Sequence, residues 1–203
     1  MQKPTEFGID IVTHSATKYI DGQGRVLGGL VLGSAEYIKK VETFCRSTGP
    51  TISPFNAWTL SKSLETLEVR MERHCDSAKK LANALESHPE IESVKYPFLL
   101  SHPQYDTAQK QMSKGGGIVT FELKGGLKRG VDFLDNLKTC SLTANLGDSR
   151  TIVSHPASTT HYKLSEEERS EVGITPGLIR VSVGLESIID IISDIEQALN
   201  ASK

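Results

Sequence analysis

The chain is poor in cysteine and tryptophan, with three of the first and one of the second in 203 residues. Cys45, Cys75 and Cys140 are odd in number and form no Cys-x-x-Cys pair. That excludes a disulfide-built fold, and the three read as reduced, structural thiols. A Lys/Arg block is also missing and the formal net charge is only -2, which argues against nucleic acid as the main partner. No apolar run is long enough to span a bilayer, so no membrane role is expected. Residues 1–6 are polar, unlike a secretory leader, and the expected setting is aqueous cytoplasm.

What is present suits a globular chain of one large or two small domains, with 37% hydrophobic and 24% charged residues. Ile9, Ile11 and Val12 form a β-rich run, and residues 28–33 form another, with the turn-prone Asp21-Gly22-Gln23-Gly24 between them. Ser53-Pro54 starts a helix, with serine as cap and proline at the first position. Ala57, Leu60, Leu64, Leu67, Met71, Cys75, Ala78, Ala82 and Leu85 then keep helical spacing until Ser87-His88-Pro89. One kinked helix or two nearly continuous ones would result, with Arg70, Glu72, Arg73, Lys79 and Lys80 on a solvated face.

Beyond Pro89 the pattern is that of an α+β domain. Strands are expected over 91–96, 118–123, 140–144 and 178–183, and helices over 131–137 and 187–199. Ser165-x-x-Glu168 resembles a capping box, and Gly173 with Thr175-Pro176-Gly177 interrupts the chain before the Arg180 strand. Gly115-Gly116-Gly117 precedes a strand and lacks a following helix and lysine, so it is not taken as a nucleotide site. His155 and His161 bracket a loop without the further ligands a metal would need, and Asp148 with Arg150 reads as a local ion pair.

The chemistry concentrates in His14-Ser15-Ala16-Thr17-Lys18-Tyr19. An aldehyde is captured by an unprotonated amine, and a lysine where a buried strand emerges suits that task. If the segment is extended, Ser15 and Thr17 share a face and both reach one phosphate while Lys18 points elsewhere. On residue types alone, a solvated lysine after a strand remains open.

The longer word from His14 to Gly29 resembles the cofactor-lysine segment of the Cys/Met-metabolism family of fold-type I pyridoxal phosphate enzymes, and within it the O-succinylhomoserine sulfhydrylases. The resemblance continues through Thr48-Gly49-Pro50-Thr51-Ile52-Ser53-Pro54-Phe55-Asn56-Ala57-Trp58, Leu64-Glu65-Thr66-Leu67, Arg73-His74, Ala144-Asn145-Leu146-Gly147-Asp148, His155-Pro156-Ala157-Ser158-Thr159-Thr160-His161 and Gly177-Leu178-Ile179-Arg180-Val181-Ser182-Val183-Gly184-Leu185-Glu186.

It implies an α/β fold, the C-terminal part of a fold-type I transferase: residues 1–52 a remnant of the cofactor-binding large domain, 53–89 a linking helix or kinked pair, 90–203 a small α+β domain. It implies pyridoxal 5'-phosphate as cofactor, held by Lys18 with Ser15 and Thr17 on its phosphate. Arg180 would grip the substrate α-carboxylate and Asn145 would lie beside it. Without the resemblance, Arg180 reads more readily as an ion-pair partner in a strand, and Asn145 equally as a loop cap.

The reaction implied is γ-replacement in methionine biosynthesis, O-succinylhomoserine plus sulfide giving homocysteine. Cystathionine γ-synthase, O-acetylhomoserine sulfhydrylase and γ-lyase chemistry remain open, as does a catalytically silent remnant or assembly module. Family members are longer ahead of the lysine, so the partners implied are a homo-oligomer, tetrameric in the family, or a complementing N-terminal chain. The strands flanking Lys18 would then be parallel-type strands lacking sheet neighbours.

Overall fold

A computed structural model describes residues 1–203. A 3-10 turn over Pro4–Phe7 leads into β1 (Ile11–Ser15), and the chain returns through residues 16–28 to β2 (Gly29–Gly33). These strands pair antiparallel, Val12 opposite Leu32 and Ser15 opposite Gly29. That overturns the expectation of parallel-type strands. Parallel neighbours need a crossover, usually helical, whereas Gly22 and Gly24 take left-handed φ of 72° and 65° and turn the chain back on itself. The hairpin is also not buried: only Val12 in β1 and Leu30 in β2 are partly covered.

Helix α1 (Ala35–Thr48) follows, capped by Ser34, whose side chain accepts from the Tyr37 amide, and closed by Gly49 at φ 92°. None of its residues is buried. Helix α2 (Pro54–Leu64) begins with the Ser53 cap and N-terminal proline that its sequence calls for. Residues 65 and 66 break the helical run before α3 (Leu67–Glu86). The apolar stripe is realised unevenly: Cys75, Ala78, Ala82 and Leu85 are buried along α3, whereas Ala57 and Leu64 of α2 are exposed and only Leu60 is enclosed. Arg70 departs from the expected solvated face, being buried at 9% exposure.

The remaining elements are β3 (Ile91–Lys95), α4 (Tyr105–Gln111), β4 (Ile118–Leu123), α5 (Gly126–Asp135), β5 (Ser141–Leu142), β6 (Ile152–Ser154), α6 (Glu166–Glu171), β7 (Leu178–Ser182) and α7 (Ile188–Ala201). Five strands form one sheet in the order β3-β4-β7-β6-β5, antiparallel except between β5 and β6. Alternation in β4 turns Val119, Phe121 and Leu123 inward, where α3, α5 and α7 pack. The resulting core holds 21 buried residues. Phe121 meets Phe133 edge to face at 5.9 Å, and each such side chain contributes about 1.5–3 kcal/mol by leaving water.

Polar anchors complete this half. Ser165 and Glu168 make both bonds of the capping box that opens α6. Asp194, buried in α7, accepts from the Lys138, Thr139 and Cys140 amides at 2.8–2.9 Å. No helix is long and apolar enough to cross a membrane.

Candidate active site

The lysine segment is a turn rather than an extended run. β1 ends at Ser15, which is exposed, and the Ala16 and Thr17 amides both donate to the Gly28 carbonyl at 2.9 and 3.3 Å. The Thr17 hydroxyl accepts from the Gly28 amide at 3.1 Å and donates back at 3.4 Å. The expected sharing of one strand face by Ser15 and Thr17 therefore fails, because the second hydroxyl closes the hairpin neck. The Gly22 amide donates to the Lys18 carbonyl at 2.8 Å. Asp21, 1% exposed, steadies the turn by accepting from the Arg25 amide at 2.7 Å and its Nε at 3.0 Å.

Lys18, Asn145 and Arg180 come together, although they lie far apart in the chain. Lys18 Nζ donates to Asn145 Oδ1 at 2.5 Å. Arg180, on β7, donates from Nη2 to the Asn145 and Ala144 carbonyls at 3.0 and 3.1 Å. Asn145 thus links the amine through its side chain to the guanidinium through its backbone. Arg180 Nε is buried with no acceptor, and burial lowers the guanidinium's pKa.

The Asn145 loop is fastened to the lysine turn by its neighbours. The Gly147 amide donates to Ser182 Oγ at 2.9 Å, and the Ser149 amide to the Gly22 carbonyl at 2.8 Å. Gly147 has φ 75°, and a Cβ there would come within 2.7 Å of the Tyr19 nitrogen. Asp148, 2% exposed, pairs with Arg150 at 3.0 Å. Burial alone would raise its pKa, but the bonds from the Arg150 side chain and amide prevail and hold it below the usual carboxylate value. His155 is buried between Ser158 Oγ at 2.8 Å and the Pro176 carbonyl at 2.7 Å, a loop-packing role.

Sequence reasoning missed Arg70. It donates from Nη1 to the Tyr19 carbonyl at 2.6 Å and from Nη2 to the Ile20 carbonyl at 3.1 Å, the two residues that follow Lys18. A signal existed: Arg70 precedes buried His74, Ala78, Leu81 and Leu85 at spacings of four, eight, eleven and fifteen, the period of one helix face.

The sequence pattern of the Cys/Met metabolism PLP-dependent enzymes matches residues 1–200. The chain belongs to that family. Within the Cys/Met metabolism enzymes, O-succinylhomoserine sulfhydrylase of Pseudomonas aeruginosa is 50% identical over 201 residues, covering 99% of this chain and 50% of that protein. L-methionine gamma-lyase of Fusobacterium nucleatum is 48% identical, covering 98% and 51%.

A crystal structure of cystathionine gamma synthase from Xanthomonas oryzae pv. oryzae, in complex with aminoacrylate and cysteine, matches the fold with a TM-score of 0.94 at 37% identity. It covers 99% of this chain and 52% of that one. The chain thus spans about half the length of the relatives it matches. The fold is a portion of fold type I, and the cofactor of the family is pyridoxal phosphate. These relatives carry different reaction names within sulfur amino-acid metabolism.

Proposed function

We propose that this chain carries the lysine-bearing half of a γ-replacement enzyme of methionine biosynthesis, which exchanges the succinyloxy group of O-succinylhomoserine for sulfide and yields homocysteine and succinate. The observation that carries the reading is the link from Lys18 Nζ through Asn145 to Arg180. It gathers an amine for the cofactor aldehyde and a cation for an amino-acid carboxylate on one loop.

The residues fit the cofactor and an amino acid in three respects. The Lys18 amine would hold the cofactor covalently, and the Ser15 hydroxyl, exposed at the end of β1, is free to meet its phosphate. Thr17 donates to the Gly28 carbonyl only at 3.4 Å, outside the usual range, so its proton can turn to a phosphate oxygen. Arg180 Nε, buried without an acceptor, would bond the α-carboxylate, and that charge-assisted bond offsets the burial of the guanidinium. Pyridoxal phosphate, once bound, supplies the electron sink for carbanion chemistry. Lys18 would then move protons at Cα and Cβ, and Arg180 with Asn145 would fix the carboxylate so that the labile bonds face that amine.

The reading also assigns residues 1–52 to the cofactor-binding region, 53–89 to the link and 90–203 to the C-terminal domain, in a cytoplasmic oligomer or with a complementing N-terminal chain. The exposed apolar side chains Phe7, Phe44, Phe55 and Trp58 and the half-length match support such a complement. A γ-lyase reading is the alternative, favoured by the methionine gamma-lyase at 48% identity.

Borohydride reduction with pyridoxal phosphate, followed by peptide mapping, tests the site. The chain alone is expected to label weakly or not at all. Combined with a chain supplying the remaining length of the Pseudomonas aeruginosa relative, it is expected to label at Lys18 and to form homocysteine from O-succinylhomoserine and sulfide. Methanethiol release from methionine without homocysteine synthesis would select the lyase. No label at Lys18 in the combined protein would leave the silent module.

A further inference from the structure

We propose that Arg70 is the positioning residue for Lys18, a clamp that fixes the turn from which the amine projects. The inference rests on the reading of Lys18 as the cofactor lysine. Four oxygens surround the guanidinium. Two belong to the turn that follows Lys18: the Tyr19 carbonyl takes Nη1 at 2.6 Å and the Ile20 carbonyl takes Nη2 at 3.1 Å. Two belong to the last turn of α2 and the break that follows it: the Ser63 carbonyl takes Nη2 at 2.9 Å and Thr66 Oγ1 takes Nε at 3.1 Å. Arg70 therefore ties the lysine turn to the point where the long helical run is interrupted.

Stability alone is a poor reason for this group. A buried charge is unfavourable unless oriented partners compensate, and an apolar side chain of similar size usually serves packing as well or better. Here no carboxylate bonds the guanidinium, because the neighbouring Asp21 is taken by Arg25. The compensation comes from neutral oxygens aimed at a planar fork, which makes the site specific for arginine geometry.

The turn is also shaped around it. Gly22 has φ 72°, and a Cβ at that position would collide with Arg70 Nη1. One helical turn along α3, His74 meets the Tyr19 ring edge-on, with centroids 5.4 Å apart and planes at 75°. Tyr19 is thereby held at its carbonyl by Arg70 and at its ring by His74. The residue next to Lys18 is thus restrained on two sides, which fixes the backbone from which the amine projects toward Asn145.

Amide exchange and lysine labelling test the clamp together. The Asp21 and Gly22 amides, which donate to the Ala16 and Lys18 carbonyls at 2.9 and 2.8 Å, report the turn directly. Arg70→Ala and Arg70→Lys should each speed exchange there about tenfold or more, since the charged hydrogen bonds to the Tyr19 and Ile20 carbonyls are lost or halved. Amides in β4 and β7 should be unchanged. In the combined protein, borohydride-trapped pyridoxyl at Lys18 should fall about tenfold relative to the other lysines.

Arg70→Lys should not rescue labelling, because one ammonium cannot reproduce the fork. Arg73→Ala, which removes only a bond from the same helix to the Glu186 carbonyl at 3.0 Å, should alter neither readout. Unchanged exchange in the turn would refute the clamp. Faster exchange with undiminished Lys18 labelling would refute positioning and reduce Arg70 to a brace. Absence of label in the unsubstituted combined protein would count against the Lys18 reading alone, and exchange would still decide the clamp. Should Arg70→Ala fail to fold, Arg70→Lys carries both measurements.

Discussion

The hairpin and α1 near the N-terminus and the five-stranded sheet near the C-terminus obey opposite rules of burial. The sheet encloses 21 residues in one core. Around the hairpin only Ala16, Ile20, Val26 and Leu60 form a buried cluster, while Phe44, Phe55 and Trp58 are 60–67% exposed. Yet the lysine sits on the poorly packed side and its companions Asn145 and Arg180 on the well-packed one. The difference teaches that the C-terminal half supplies rigidity, and that the Lys18 turn borrows it through the Asn145 loop and α3.

A core deletion in the sheet should have the largest effect. Phe133→Ala removes a fully buried ring and should cost about 3–5 kcal/mol in denaturant unfolding. A cost near zero would mean that the sheet is not the stable half. Next comes the junction: Gly147→Ala meets both a left-handed φ and the Tyr19 backbone nitrogen at 2.7 Å. It should cost about 2–3 kcal/mol and loosen the Lys18 turn in amide exchange more than it loosens β4.

Asp194→Asn should cost about 1–2 kcal/mol near neutral pH, because the buried carboxylate accepts three amides. Burial by itself would raise its pKa, but the Cys140, Lys138 and Thr139 amides bring it below the ordinary value. A depressed folded pKa means stability present above the unfolded value and lost as pH falls through the folded one. The gap between Asp194→Asn and the parent should therefore narrow as pH falls below the ordinary carboxylate range; a gap that stays constant in acid would contradict the assignment. The smallest effect belongs to Trp58→Ala, expected to shift the lone chain by no more than about 0.5 kcal/mol. A loss comparable to that of Phe133→Ala would erase the contrast between the halves.

The sequence made the sheet side legible and the hairpin side misleading. Strands around Ile118 and Arg180 show alternation or dense β-branched content, and Ser53 and Ser165 carry cap chemistry that works wherever the helix lies. β6 escaped notice because its three residues are all buried and show no alternation. α1 escaped because none of its residues is enclosed, and α4 is only seven residues long.

The strand expected over 140–144 shrinks to Ser141–Leu142, since the chain then leaves the ladder and its Ala144 carbonyl is taken by Arg180. Residues at the candidate site were visible as words, but their meeting was not. Spacing could not show that Thr17 would seal the hairpin neck, or that Arg70 would turn away from solvent toward Tyr19.

The neutral acceptors of Arg70 make its grip indifferent to acid. Asp194 and Asp148 anchor their surroundings with carboxylates that must stay ionised, so protonation loosens residues 138–140 and the Asn145 loop. Arg70 grips carbonyls and a hydroxyl, none of which takes up a proton in that range. Acid therefore weakens the carboxylate anchors of these two segments while the bonds from Arg70 to the Tyr19 and Ile20 carbonyls keep their acceptors.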